Sequence, residues 1–155
     1  MKRFWIFAAA ILISLTVSSS YCDETKRSAI VADIKGNVMV KLESSLPWTD
    51  AKVGDVLKEG SFIKTGEKST AIIFVDAKNE TAAVEMAEKS LLSFTTLVKE
   101  SSTGMKKTLL DLSIGQILIK AEKLDTPDSK FEVKTPTSVV GVRGTKFSVK
   151  VEALK

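Results

Sequence analysis

Along most of this chain, apolar side chains come in short runs that alternate with polar ones at period two, punctuated by Gly, Pro, Asn, Asp and Ser. Such alternation buries one face of an extended strand and wets the other, so it predicts short strands joined by turns. Residues 29–34 and 38–42 flank Lys35-Gly36-Asn37, which predicts a first hairpin because Gly36 or Asn37 can take positive φ. Pro47 cannot donate to a ladder and ends that piece. Beside it, Trp48 reads as a lid on the core or as a stacking platform for a sugar or base. Glycines at 54, 60 and 66 then recur every six residues, which predicts tight successive corners and leaves open an edge of solenoid-like coils.

Residues 69–76 (STAIIFVD) carry the strongest strand propensity, and their nearly continuous apolar core predicts a central strand covered on both faces. Residues 81–94 (TAAVEMAEKSLLSF) fit a helix by composition and two strands bent near Glu88-Lys89 by alternation. The β rhythm of the flanks and the lack of a cap favour strands. Residues 99–107 read as an exposed loop, 108–112 and 116–121 as strands about Ser113-Ile114-Gly115, 124–130 as a turn cluster, and Phe131 and Val133 as inward positions of one more strand. The last stretch, 135–151 (TPTSVVGVRGTKFSVKV), reads as strand, glycine bend, strand, with Gly141 and Gly144 bracketing Arg143 and Phe147, Val149 and Val151 alternating with polar residues. The expected fold is all-β: a single domain of many short strands, sandwich or roll-like.

Composition adds exclusions. Of 155 residues, 44% are hydrophobic and 27% charged, as in an ordinary globular domain. The chain has no histidine and one cysteine, so neither a Ser-His-Asp or Cys-His arrangement nor a Cys/His zinc site can be assembled, and no internal disulfide can form. Residues 1–20 follow the plan of a secretory signal: Lys2-Arg3, an apolar run over 4–17, then Ser18-Ser19-Ser20. That run is shorter than the roughly 18 residues of a spanning helix, which favours a removed signal peptide. Without Lys2 and Arg3 the net charge falls from +4 to about +2, and the scattered lysines form no phosphate track, which argues against nucleic acid as a partner. Residues 21–28 read as a short polar tether. Cys22 is the one candidate for lipidation, although bulky Tyr21 stands where lipoprotein processing wants a small residue. Membrane attachment is expected only if Cys22 is acylated or the signal is kept.

Against this background the run Val139-Val140-Gly141-Val142-Arg143-Gly144-Thr145-Lys146-Phe147-Ser148-Val149 closely resembles the C-terminal signature of the FecR domain, a module of bacterial cell envelopes. Gly36-Asn37-Val38, Trp48, Gly54-Asp55-Val56-Leu57, Gly60, Ile63-Lys64-Thr65-Gly66, Ala71, Phe74, Asp76 and Gly115-Gln116-Ile117 follow the same family pattern in order. The resemblance covers essentially residues 29–151, and a FecR-like β domain is expected over 29–152. Founding members of the family resemble a relay with a cytoplasmic segment that handles a sigma factor. Here only three residues precede the apolar run, so the expectation is a stand-alone exported domain without that segment.

The resemblance implies a non-catalytic binding or signalling module of the periplasm or cell envelope that contacts a protein partner. The alternative is a structural or glycan-associated envelope component. No cofactor and no metal are expected. Gly141, Val142, Arg143, Gly144, Thr145 and Phe147 are the signature positions, Arg143 and Trp48 the candidate partner contacts. Arg143 has two readings: recognition of a partner's carboxylate, or an internal lock with an acid of the domain.

Overall fold

In a computed structural model, the structure describes residues 24–76, 81–121, 126–142 and 146–152. The expected signal segment, Cys22, Arg143, Gly144 and Thr145 lie outside the described residues. The rest is all-β: β1 (Glu24–Lys26), β2 (Ala29–Lys35), β3 (Val38–Lys41), β4 (Thr49–Asp50), β5 (Val56–Leu57), β6 (Phe62–Thr65), β7 (Thr70–Val75), β8 (Ala82–Met86), β9 (Leu91–Glu100), β10 (Lys106–Ala121), β11 (Lys130–Lys134), β12 (Val139–Val142) and β13 (Lys146–Val151). The ambiguous stretch 81–94 is β8 and the start of β9, bent at Glu88-Lys89 as the alternation predicts.

The organising device is a row of four bent rungs. β2 continues into β3, β6 into β7 and β8 into β9, while β10 runs its 16 residues through a bend of its own. On one side of the bends, β3, β6, β9 and the first half of β10 pair in that order. On the other side, β2, β7, β8 and the second half of β10 pair in the matching order. A meander of long strands is thus folded across its middle into two leaves. β4 and β5 flank the first rung, β1 extends the edge of β9, and β11 and β13 pair with the two halves of β10 on its remaining side. β11 runs parallel to β10, and β12 lies outside β11 at the edge of the first leaf.

Several expectations are adjusted by this structure. Lys35-Gly36-Asn37 joins β2 to β3, but the two strands pair with different neighbours on different leaves, so the expected hairpin is a corner. The terminal stretch does contain the two expected strands, but they do not pair with each other: β12 pairs with β11 and β13 with β10. β7 is central by pairing, yet only Ala71, Ile73 and Val75 are buried, whereas Ile72 and Phe74 are half-buried on the outer face. The six-residue glycine recurrence builds no coils, because the strands around it pair antiparallel. The described end of the expected tether, residues 24–28, lies on the domain through β1.

Each rung turns its corner with one residue in the left-handed region: Gly36 at φ 79°, Lys68 at 51°, Lys89 at 53° and Gly115 at 97°. A bent ladder strands backbone polar groups, and buried hydroxyls take them up. Ser69 Oγ accepts from the Asn37 amide at 2.9 Å, Thr65 Oγ1 accepts from the Ser90 amide at 3.0 Å and donates to the Ala87 carbonyl at 2.6 Å, and Ser90 Oγ accepts from the Gln116 amide at 3.0 Å. Backbone bonds complete the seam, from Gly66 to the Asn37 carbonyl at 2.9 Å and from Ala87 to that of Gln116 at 2.9 Å. Between the leaves lies one core, with Val31, Val40, Ile63, Ile73, Met86, Leu92, Phe94, Leu110, Leu112, Ile117, Ile119 and Phe131 all buried.

Gly115 is glycine for two reasons at once. Besides its φ, a Cβ there would sit 2.2 Å from Ser90 Oγ and 2.4 Å from Ser90 Cα. Gly115→Ala is therefore expected to cost about 3 kcal/mol or more in urea unfolding, since strain and overpacking add. Gly60→Ala, at φ 82° but with no atom within 4 Å of its Cβ position, is expected to cost only about 1–2 kcal/mol. Equal losses at the two sites would remove the close-packing argument.

Candidate functional site

At the end of the molecule away from the corners, the two leaves are tied by a buried ionic cluster. The chain leaves β1 on the first leaf and enters β2 on the second, and Arg27 lies in that crossing. Its side chain is only 6% exposed. Arg27 donates to both Asp76 carboxylate oxygens, from Nε at 2.7 Å and Nη2 at 2.6 Å, a fork-to-fork pair. Nη1 reaches the first leaf at Thr108 Oγ1 (3.0 Å) and at the carbonyls of Val98 and Lys107 (3.4 Å each). Thr81 donates to Asp76 at 2.5 Å, and Lys106 Nζ stands 3.5 Å from the same carboxylate oxygen. Asp76 closes β7 at φ 69°, and its amide donates to the Ser28 carbonyl at 3.0 Å.

Burial raises the Asp76 pKa, but hydrogen bonds from Arg27 and Thr81 and the charges of Arg27 and Lys106 outweigh it and hold the carboxyl below its ordinary range. It is an ionised acceptor with its oxygens committed, the opposite of a proton donor poised for catalysis. The cluster is a clasp. Arg27 thus forms an internal lock within the domain, although the sequence presents it only as half of the basic pair Lys26-Arg27; the two readings of Arg143 fall outside the described residues. The signal that could have found it is Asp76, an acid at the end of the strongest strand.

The described signature residues split between the leaves. Val142 is buried against the core at the edge of the first leaf, and Phe147 is half-buried on β13 of the second. Gly141 needs neither positive φ nor a close neighbour: it is exposed, with nothing within 4 Å of its Cβ position. Arg143, Gly144 and Thr145 are outside the described residues. What this part of the signature offers is an edge. β12 pairs only with β11 among the described strands, and its residues Val139–Val142 (VVGV) include no charged or polar side chain. The other described edge strands carry such groups or are two residues long: β1 is ETK, β4 TD, β5 VL and β13 KFSVKV. Charges blunt strand edges against pairing, and β12 is left unblunted, with Val139 60% exposed.

Trp48 is half-buried on the outside of the first leaf. It meets the edge of Phe62 at a centroid distance of 6.5 Å, and Lys64 Nζ covers its ring at 4.4 Å. With that ring face taken by a cation, the platform reading loses ground to local packing. Trp48 and β12 are not brought together by any pairing. Near the clasp, a groove of about 710 Å³ is lined by Lys26, Ser28, Leu42, Leu46, Val56 and Lys58, among others. No group of three or more metal-ligating side chains occurs among the described residues.

The clasp makes two measurable statements. Arg27→Met leaves Asp76 charged and largely buried, and is expected to cost about 3–5 kcal/mol in urea unfolding near neutral pH. Because the folded pKa of Asp76 lies below its unfolded value, its contribution is complete above the ordinary aspartate range and drains away as pH falls through the folded value. Asp76→Asn should then flatten the loss of stability between about pH 5 and pH 2. An unchanged acid limb in that variant would show that the carboxylate does not contribute as described.

Compared with known protein families, residues 61–154 match the family model described as FecR protein. No significant match was found among curated proteins or solved structures.

Proposed function

The chain belongs to the FecR protein family, and from that membership we propose that it is an exported, non-catalytic binding or signalling module of the bacterial cell envelope that takes up another polypeptide by strand addition at β12. FecR domains are typical of envelope signalling or binding modules and are generally non-catalytic. The observation that carries the strand-addition reading is the unblunted edge of β12, which lies inside the family signature. Main-chain hydrogen bonds along such an edge supply affinity, and alternate side chains supply selectivity. The absence of histidine from the whole chain fits a module with no proton-shuttling imidazole. The glycan-associated alternative depends on an open aromatic platform, and Lys64 over Trp48 weighs against it.

Val139→Lys places a charge on the edge at a side chain that is already exposed. It should leave the thermal melt unchanged and reduce capture of the envelope partner by at least about tenfold; undiminished capture would remove β12 from the contact. Export is checked by the intact mass of protein recovered from the envelope fraction. A chain starting at or near Tyr21, or one starting at an acylated Cys22, agrees with the proposal. A mass that retains Met1 in a cytoplasmic fraction contradicts it.

A further inference from the structure

We propose that the strand added at β12 is β12 of a second copy of this chain, paired antiparallel about a two-fold axis through Val140. The inference rests on the strand-addition reading above and supplies its partner.

The phase of the ladder sets which backbone groups are free. The Thr135 amide donates to the Ser138 carbonyl at 2.8 Å, just where β11 and β12 begin to pair. Hydrogen-bonded and non-bonded pairs alternate along an antiparallel ladder. Counting on from 138 in the register Lys134↔Val139, Val133↔Val140, Glu132↔Gly141, Phe131↔Val142, residues 140 and 142 bond to β11. The N–H and C=O groups of Val139 and Gly141 therefore point out of the sheet. Two copies paired so that Val139 faces Gly141 of the other, and Val140 faces itself, satisfy both sets at once and keep inward residues on the inward side.

The side chains fit the same register. Val139, 60% exposed, projects from the outer face. Gly141 is on that face too and leaves the space of a side chain empty. Each valine thus seats over the glycine of the other copy, and Val140, half-buried on the inner face, meets its own equivalent beside the core. Registers centred on residue 139 or 141 would set two valines or two glycines against each other instead. Such a contact is isologous, and it closes with two copies. A four-residue strand buries well under the ~1,200 Å² of a standard stable interface, so the dimer is weak and concentration-dependent.

The test uses protein expressed from the full-length sequence with Cys22→Ser, so that an introduced cysteine is the only one. At a non-bonded pair the Cα atoms approach to about 4.5 Å, within the range that a disulfide spans. Val140→Cys, oxidised with glutathione disulfide at ~1 mM protein, is expected to give a covalent dimer, while Ser148→Cys on β13 does not. Adding Val139→Lys or Gly141→Leu should cut the cross-linked yield at least tenfold with the melting temperature unchanged; both residues are exposed, so loss of fold is not the cause. The self-pairing falls if Val140→Cys stays monomeric while it cross-links a different envelope polypeptide, an outcome that leaves strand addition standing. If nothing is cross-linked and Val139→Lys leaves partner capture intact, both readings fall. A dimer in sedimentation that Val140→Cys does not trap also overturns the proposed axis.

Discussion

Folding a sheet across its middle breaks its own ladder, and the structure depends on how that break is healed. At the line where four rungs turn, amides and carbonyls that would have met across the sheet lose their partners inside a region closed to water. An orphaned buried amide or carbonyl costs on the order of 1–3 kcal/mol. Thr65, Ser69 and Ser90 are all nearly inaccessible, and their hydroxyls act as short-range bridges that both accept and donate. Because each bridge links one rung to the next, the bends stay in line and the two leaves keep the same strand order.

The opposite end poses the complementary problem. The leaves diverge from the seam, and apolar contact alone is non-directional. Arg27 supplies direction: its planar fork engages Asp76 on one leaf while its other nitrogen reaches Thr108 and two carbonyls on the other. The core is thereby held between a neutral hydrogen-bonded spine and a charged tie. Neither is a reactive arrangement, since every strong acceptor in both is already committed.

The strands were legible because each buries one face, and period two survives in their sequence: Val38 and Val40, Leu110 and Leu112, Phe131 and Val133 are buried as the alternation implies. Residues that pair and residues that turn were legible for the same reason. What was not legible was who pairs with whom. Lys35-Gly36-Asn37 has the same composition whether it closes a hairpin or turns a corner, and the difference lies 32 residues away, in the hydroxyl of Ser69 that receives the Asn37 amide. Arg27 was hidden more completely, because a basic pair in a polar stretch looks solvated until Asp76 and Thr81 are brought over it. The continuous run Ala71 to Val75 misled in another way: Ile72 and Phe74 are half covered by neighbours on the outside of the second leaf, which relaxes the demand for polar residues there.

The parallel placement of β11 beside β10 carries a consequence for biogenesis. β10 has partners along one side as soon as β8 and β9 exist, but its other side waits for residues 130–151, the last described strands to be synthesised. Until they arrive, a nascent chain displays a 16-residue strand with one flank bare, a template for wrong association in any crowded compartment. The C-terminal strands are thus a late-arriving shield, covering the flank of β10 that the earlier strands leave bare.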